Sequence, residues 1–78
     1  MFIVYSKVNC PYCEQVEKVF KLKGFEYKKN LLNVDFTREE FIEKFGAGST
    51  FPRVLTEDGT LIGGASETVK YLKENNLV

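Results

Sequence analysis

The stretch FIVYSKVNCPYC (Phe2–Cys13) places a strand, a short loop and the start of a helix next to one another. Its first part, FIVY, is a continuous apolar run of the kind found in strands that are buried on both faces. Ser6–Asn9 then predicts a loop, and from Pro11 onward apolar residues recur at helical spacing. Pro11 suits the first helical position, because no amide hydrogen is needed there. The stretch therefore predicts a strand followed by a helix that begins near Cys10.

After this stretch, helical and extended patterns alternate along the sequence. The first helix ends at Gly24, a usual C-terminal stop, and Phe25–Leu31 begins with the alternation of a strand. Because consecutive parallel strands are joined by a right-handed crossover, this β-α-β unit is predicted to have parallel strands. Thr37–Gly46 predicts a second helix, since Thr37 and Glu40 form a capping-box pattern.

The last part of the chain predicts a hairpin and a third helix. Pro52–Leu55 and Leu61–Gly64 flank a turn at Asp58-Gly59, which is typical of two antiparallel strands. Ser66 is the predicted N-cap of a helix over Glu67–Asn76. The element order is then β-α-β-α-β-β-α. The predicted fold class is α/β: one mixed sheet of four strands flanked by three helices, in a single domain over residues 1–78.

The composition argues against several classes of protein. Hydrophobic residues make up 44% of the chain, which is ordinary for a globular domain. Eleven basic residues balance eleven acidic ones, and no basic stripe of a nucleic-acid binder is visible. No apolar run approaches the roughly 18 residues of a membrane span, and MFIVYSKVNC lacks the features of a signal peptide. We therefore expect a cytoplasmic protein with no nucleic-acid or membrane partner. We also expect a monomer with no metal and no tightly bound cofactor.

The two cysteines of the chain, Cys10 and Cys13, are the predicted catalytic pair. Cys10 lies at the predicted helix N-terminus, where unpaired amide hydrogens and the helix dipole favour a thiolate. Cysteines in such positions have pKa values lowered to about 3.5–7.5. The chain has no histidine, so this effect must activate Cys10, with Lys7 adding positive potential from the same loop. Cys13, one turn further along, is the predicted resolving thiol, and Cys10 is the predicted nucleophile at an exposed cap position.

Three other interpretations of the cysteine pair stay open at this point. A structural disulfide would close a very short loop and would stabilise the fold little. A zinc site usually has four ligands, so two cysteines without a histidine would need a second copy of the chain. Two inert core thiols are the third interpretation, because cysteine is often buried. A C-x-x-C beside a β-α-β unit in a cytosolic protein favours a redox motif over all three.

Two further motifs follow in the C-terminal half. The segment TFP (Thr50–Pro52) precedes the hairpin, where a proline is usually an entry or edge device. Since only about 5–6% of X–Pro bonds are cis, spacing alone predicts a trans bond before Pro52. Gly63-Gly64 on its own predicts a bulge or a turn.

Together these motifs resemble the glutaredoxins, the small dithiol class of the thioredoxin superfamily. YSKVNCPYC (residues 5–13) is similar to the strand, lysine and CPYC site of that family. TFP resembles its T-V-P segment, and DGTLIGGASE (residues 58–67) resembles its hairpin, Gly-Gly pair and last helix. The likeness covers nearly the whole chain. It implies a thioredoxin-like fold, a cis Pro52 packed beside Cys10, support of the redox site by Pro11, Tyr12 and Pro52, and glutathione as reductant and co-substrate.

The resemblance also implies where glutathione binds. The main chain of Phe51 would pair with its cysteinyl part like an added strand. The amides after Gly64 would hold the γ-glutamyl carboxylate, as helix N-termini do. Many glutaredoxins have an acidic residue where Ser66 stands, so Glu67 would have to meet the glutamyl ammonium. The other interpretations are a helix cap for Ser66 and a complement to the helix dipole for Glu67. The implied contacts are Lys7, Tyr12, Arg38, Phe51, Pro52, Gly64, Ala65, Ser66 and Glu67.

Three functional hypotheses result. The first is a glutathione-dependent thiol–disulfide oxidoreductase that reduces protein disulfides and glutathione mixed disulfides through Cys10 and Cys13. The second is a thioredoxin-like electron donor to ribonucleotide reductase that a flavin-dependent reductase reduces. The third is a glutathione-supported iron–sulfur dimer as in monothiol relatives, which Pro11 and Cys13 disfavour.

Overall fold

The structure is a computed structural model that describes residues 1–75 of the chain. Its elements are β1 (Phe2–Ser6), α1 (Pro11–Lys23), β2 (Tyr27–Leu31), α2 (Arg38–Phe45), β3 (Arg53–Leu55), β4 (Leu61–Gly63) and α3 (Ala65–Glu74). The strands form one sheet in the order β2-β1-β3-β4. β1 is parallel to β2 and antiparallel to β3, and β4 is antiparallel to β3. The predicted element order and the mixed four-stranded sheet are confirmed.

Strand β1 sends its side chains alternately to two layers, which fixes the sandwich of helix, sheet and helix. Val4 belongs to the main core with Val16 and Phe20 of α1. Tyr5, its neighbour, points the other way, and its ring lies 5.1 Å from that of Phe45 in α2. Full burial of side chains of this size stabilises the fold by about 1.5–3 kcal/mol each. Since β1 leads directly to the α1 N-terminus, this double packing holds the cysteine loop in place.

Local signals set the ends of α1 and α2 as predicted. Gly24 adopts the left-handed conformation (φ 74°) and its amide donates to carbonyls of the last turn of α1. At the start of α2, Thr37 accepts from the amide of Glu40 at 3.2 Å, and the Glu40 carboxylate accepts from the amide of Thr37 at 2.9 Å. The predicted capping box is therefore present, and it satisfies two amides that the helix cannot.

Two strand boundaries differ from the prediction. Ser6 continues β1 instead of opening the loop, because its carbonyl accepts from Leu32 at 2.9 Å. β2 begins at Tyr27 and not at Phe25, since the amide of Phe25 still donates to the carbonyl of Phe20 at 2.9 Å. The chain completes the end of α1 before it can join the sheet.

The start of α3 was predicted wrongly. Gly64 is the N-cap and the helix begins at Ala65, so Ser66 lies inside the first turn and is no cap. The amide of Gly64 donates to a Glu67 carboxylate oxygen at 2.8 Å, and the Thr68 hydroxyl donates to the Gly64 carbonyl at 2.7 Å. These two bonds satisfy the helix end without the serine hydroxyl. Asn76, the last residue of the predicted helix, lies outside the described residues. None of the described helices has the length and apolar character needed to cross a bilayer.

Replacement of Gly63 by alanine is expected to lower the free energy of unfolding by about 2–4 kcal/mol. Gly63 has a φ of +132°, and a Cβ there would lie 2.7 Å from the Cβ of Glu67. The added methyl group would therefore strain the backbone and push against α3. Urea unfolding measures the loss.

Gly59→Ala is the matched control for that measurement. Gly59 also has a positive φ (+90°), but no neighbouring group in the described part of the chain lies within 4 Å of its Cβ position. The free energy of unfolding of Gly59→Ala is therefore expected to fall only by the backbone cost of a positive φ, about 1–2 kcal/mol. Equal losses in the two variants would contradict the steric explanation.

Candidate active site

Cys10 and Cys13 form a disulfide at the start of α1, with their Cα atoms 5.3 Å apart. Cys10 is the N-cap in extended conformation, and the backbone amide of Cys13 lies 3.3 Å from the Cys10 sulfur. The helix amide therefore points at the sulfur that was predicted to carry negative charge after reduction. A hydrogen bond from a backbone amide stabilises a thiolate more than a thiol, because the charge lies on the acceptor.

The predicted exposure of Cys10 is wrong. Its relative exposure is 5%, and that of Cys13 is 1%. Cys10 nevertheless borders an open groove of about 410 Å³, and Cys13 is absent from its lining. A substrate in the groove can therefore reach the Cys10 sulfur but not the Cys13 sulfur, as their predicted roles of nucleophile and resolving thiol require. The roles themselves stay predictions.

The groove beside Cys10, called here the dithiol groove, collects several of the predicted residues. They come from four segments of the chain: the loop after β1, the start of α1, the start of α2 and the segment before β3. The predicted residues in its lining are Lys7, Pro11, Tyr12, Arg38 and Phe51. The fold thus places side chains from both halves of the sequence around one sulfur.

The dithiol groove is suited to an anionic ligand. Its lining includes the cations Lys7 and Arg38 and, among the residues described, no carboxylate. The Lys7 ammonium lies 5.7 Å from the centre of the Phe51 ring, over its face. The Phe51 ring in turn stacks on Phe41 of α2 with centroids 4.2 Å apart and planes 16° from parallel. An aromatic stack therefore supports the lysine at the wall of the groove.

The peptide bond between Phe51 and Pro52 is cis. The trans bond that spacing alone predicts is therefore wrong, and the cis bond implied by the resemblance is confirmed. Pro52 is buried, and a Cβ placed on Gly64 would lie 3.5 Å from its carbonyl oxygen. This segment and the N-terminus of α3 are thus direct neighbours.

The predicted residues of α3 lie apart from the dithiol groove. Ala65 and Ser66 line a different groove, between α1 and α3, which shares Tyr12 with the first. Glu67 is occupied as acceptor for the Gly64 amide. The fold therefore brings these residues close to Tyr12 and Pro52, but a ligand in the dithiol groove would have to extend past Tyr12 to meet them.

Sequence reasoning missed part of the groove lining. The missed residues are Asn9, Leu32, Phe41, Ile42, Gly48, Ser49 and Thr50. Asn9 and Gly48 have positive φ angles of 57° and 87°. Asparagine and glycine tolerate this conformation best, so their presence in loops was a usable signal. Leu32 and Ser49 carry no such signal, because only the folded chain brings them near Cys10.

Two of the other interpretations of the cysteines, the zinc site and the structural disulfide, gain little from the structure. Within residues 1–75, no three histidine, cysteine, aspartate or glutamate side chains come together as metal ligands would. The disulfide joins residues only three apart in sequence, so the loop it closes is too short to stabilise the fold much.

Comparison with known proteins gives consistent matches. The family model of glutaredoxin matches residues 2–62. Mitochondrial glutaredoxin-2 of Pongo abelii is 33% identical over 79 residues, which cover 97% of this chain and 48% of that protein. Glutaredoxin 1 of Rickettsia prowazekii is 30% identical over 96% of this chain and 80% of its own length. The chain thus spans about half the length of the mitochondrial relatives it matches.

Solved structures agree with these relatives. The crystal structure of a buckwheat glutaredoxin–glutathione complex superposes with a TM-score of 0.78 at 28% identity, over 97% of this chain and 71% of that one. The matched family model covers most of the chain, including both cysteines and the cis proline. The chain belongs to the glutaredoxin family.

Proposed function

We propose that this chain is a glutathione-dependent thiol–disulfide oxidoreductase that reduces protein disulfides and glutathione mixed disulfides through Cys10 and Cys13. The observation that carries the proposal is the Cys13 amide, 3.3 Å from the Cys10 sulfur. It supplies a hydrogen bond for a Cys10 thiolate at neutral pH without a general base. Family membership supports the reaction class, and the glutathione in the buckwheat relative supports the co-substrate.

The reductive half of the reaction begins at Cys10. Its thiolate attacks one sulfur of the substrate disulfide; the substrate S–S bond breaks, and the released thiolate takes a proton from water. The Cys13 thiol then loses its proton to water, its sulfur attacks the Cys10 sulfur, and the second substrate thiolate leaves and takes up a proton. The substrate disulfide has gained two electrons, and Cys10 and Cys13 are joined, as they are in this structure.

Glutathione closes the cycle. A glutathione thiolate attacks the Cys10 sulfur, which releases Cys13 and leaves glutathione bound to Cys10. A second glutathione attacks the sulfur of the bound one, so that glutathione disulfide leaves and the Cys10 thiolate returns. The reduction potentials of glutaredoxins, about −200 to −230 mV, lie within reach of the glutathione pool. A substrate that is itself a glutathione mixed disulfide needs only Cys10.

The dithiol groove supports glutathione as the ligand on grounds of charge. Glutathione carries two carboxylates and one ammonium. Lys7 and Arg38 provide two cations in the groove, and the Cys10 sulfur borders it. Phe51 lies in the same lining, beside the cis proline. We place the glycine carboxylate towards the two cations and the cysteinyl part along Phe51.

Turnover with defined electron sources tests the proposed function. The reduced chain is given the mixed disulfide of glutathione and 2-mercaptoethanol, with glutathione, glutathione reductase and NADPH. NADPH consumption that depends on glutathione is the expected result. Activity with a flavin-dependent thioredoxin reductase and none with glutathione would overturn the proposal.

The second candidate is the thioredoxin-like electron donor to ribonucleotide reductase. The carboxylate of Glu67 favours it, because this group accepts from the Gly64 amide at the place proposed for the γ-glutamyl carboxylate. A negative charge already present at this helix end would weaken the binding of another. The same turnover experiment, with the flavin-dependent reductase as electron source, separates this candidate from the first.

Replacement of Glu67 by glutamine is expected to lower the KM for glutathione about two- to fivefold. The amide oxygen can keep the bond to Gly64, while the repulsion of an incoming carboxylate disappears; charges at helix ends contribute about 0.3–1 kcal/mol. Steady-state kinetics with varied glutathione measures the effect, and Glu26→Gln, at an exposed site outside both grooves, is the control. A rise in KM would instead indicate that Glu67 binds the glutamyl ammonium.

Replacement of Phe51 by leucine is expected to raise the KM for glutathione about two- to fivefold with little change in kcat. The loss corresponds to a cation–π contact of about 0.5–1 kcal/mol, which holds Lys7 over the ring. Phe51→Tyr keeps the ring and should restore the KM. In a Lys7→Ala background, Phe51→Leu should change the KM no further. If Phe51→Leu still raised the KM about two- to fivefold in that background, the coupling between Phe51 and Lys7 would be contradicted.

A further inference from the structure

A second groove of about 720 Å³ runs between α1 and α3, on the other side of Tyr12 from the dithiol groove. We call it the α1–α3 groove. Its apolar lining consists of Tyr12, Val16, Val19, Leu22, Ala65 and Val69. Tyr12 is 61% exposed and Leu22 is 74% exposed, so large apolar surface faces water at the two ends of this stretch of α1. The reaction steps proposed for Cys10 and Cys13 make no use of this surface.

The rim of the α1–α3 groove is basic. Among residues 1–75, three lysines and one acidic residue line it: Lys18, Lys70, Lys73 and Glu74. Lys70 and Glu74 lie 3.9 Å apart, but both side chains are largely exposed, so their pairing contributes little and leaves the rim positive. The whole chain has a formal net charge of zero, so this excess of positive charge is local. An apolar groove with such a rim matches a partner that is apolar at its centre and acidic at its margins.

The position of the groove indicates which partner would reach it. A protein substrate must bring its disulfide to the Cys10 sulfur, and Tyr12 lines both grooves. A transient redox complex buries up to about 600 Å² of surface on each partner. A circular interface of this area has a radius of roughly 14 Å. From Tyr12 to Leu22, α1 extends about 15 Å at 1.5 Å per residue. Leu22 lies about 18 Å from Cys10 along α1, at 1.5 Å for each of twelve residues. A protein docked on Cys10 therefore covers the part of the α1–α3 groove near Tyr12, and a segment that continues along α1 would reach Leu22, whereas a small disulfide would not.

We propose that the α1–α3 groove docks the segment that flanks the reactive disulfide of a protein substrate, and that this segment is an amphipathic helix with acidic margins. The inference rests on the proposed function and adds a substrate class to it. A helix of about ten residues spans the stretch from Tyr12 to Leu22. The chemistry at Cys10 and Cys13 is unchanged; the groove only raises the affinity for substrates that carry such a helix.

Two synthetic peptides test the inference on the full chain. Each has an intramolecular disulfide followed by a ten-residue helix with leucine on one face; glutamate flanks the leucines in one peptide and lysine in the other. The wild type should reduce the glutamate peptide with a kcat/KM about tenfold above that of the lysine peptide. Leu22→Glu and Lys73→Glu should each lower kcat/KM for the glutamate peptide about three- to tenfold. Both should leave the rate with the mixed disulfide of glutathione and 2-mercaptoethanol unchanged.

Matched variants on other faces make the outcome specific. Val34→Glu changes a residue that is 73% exposed, like Leu22, and Lys28→Glu reverses an exposed charge on β2; neither should alter the rate with the glutamate peptide. Equal rates with the two peptides, or full activity of Leu22→Glu, would overturn the inference. So would a wild-type dimer in sedimentation that Leu22→Glu dissociates, because a second copy would then occupy the groove. Loss of activity towards the small mixed disulfide in the wild type would overturn the proposed function itself.

Discussion

Replacement of Cys10 by serine should abolish glutathione-dependent reduction of a mixed disulfide, with a fall in rate of roughly 10³-fold or more. A serine hydroxyl is not ionised at neutral pH and cannot form the mixed disulfide that both half-reactions share. The Cys13 sulfur cannot take over, because its residue is 1% exposed and absent from the lining of the dithiol groove. NADPH consumption coupled through glutathione and glutathione reductase measures the loss.

Cys13→Ser is the matched variant, since it removes a sulfur from the same helical turn. It should keep much of the activity towards the mixed disulfide of glutathione and 2-mercaptoethanol, because that route returns through Cys10 alone. It should lose most activity towards protein disulfides, for which Cys13 resolves the intermediate. Equal losses of the two variants on the small substrate would contradict the assigned roles.

The ionisation of the reduced pair gives an independent measurement of the same claim. The far-ultraviolet absorbance of a thiolate should be present at neutral pH in reduced wild type and in Cys13→Ser, and absent in Cys10→Ser. The reason is the Cys13 amide, 3.3 Å from the Cys10 sulfur, together with the N-terminal end of the α1 dipole. If the absorbance rose only around pH 8.5, as for an ordinary free cysteine, helix activation of Cys10 would be wrong.

The parts of the site that sequence could predict are those set by neighbours along the chain. The apolar run before Cys10, the proline after it and the helical spacing beyond it lie within one short stretch, and together they place the sulfur at a helix end. The capping box of Thr37 and Glu40 is equally local, and it formed as predicted. The βαβαββα order follows from such signals, because each one fixes an end of an element.

The contacts of Glu17 are an example of what the sequence pattern could not predict. It is a buried acidic residue on α1, where its carboxylate accepts from the Tyr27 hydroxyl at 3.3 Å and lies 3.4 Å from the Lys29 ammonium. Burial raises the pKa of Tyr27, and the negative charge of Glu17 raises it further. Both partners belong to β2, so only the packed fold brings them to this carboxylate.

At Ser66 the prediction failed for a different reason. The N-cap pattern at Ser66 is local, but another local arrangement, at Gly64, forms the end of the helix instead. Serine before a glutamate is a good N-cap pattern, yet the helix begins at Ala65, two residues before the predicted start at Glu67. The Glu67 carboxylate already satisfies the Gly64 amide, and the Gly64 carbonyl accepts from the Thr68 hydroxyl. The lining of the dithiol groove has a third cause, since it comes from helix ends and loops that are distant in sequence and that only the fold brings together.

Replacement of Phe20 by alanine should lower the free energy of unfolding by about 3–5 kcal/mol. Phe20 has no exposed surface, and its ring stacks on Phe2 with centroids 4.8 Å apart. It also contacts Phe25 and Tyr27, with centroids 6.3 and 5.5 Å away. A domain of this size has a stability of only about 4–12 kcal/mol. The variant should therefore lose a quarter or more of this stability, which the shift of the urea midpoint measures.

Phe20→Leu tests whether the cavity causes the loss of stability. Leucine keeps most of the side-chain volume, so this variant should lose less free energy of unfolding than Phe20→Ala. Neither substitution touches Cys10 or Cys13, and Phe20 lines neither the dithiol groove nor the α1–α3 groove. The activity of Phe20→Ala should thus fall only with the folded fraction and recover fully on cooling or addition of a stabilising osmolyte. An unchanged midpoint would show that the aromatic cluster around Phe20 is not the core that fixes α1 on the sheet. A persistent loss of rate in the folded variant would show that packing at Phe20 also sets the position of the sulfurs.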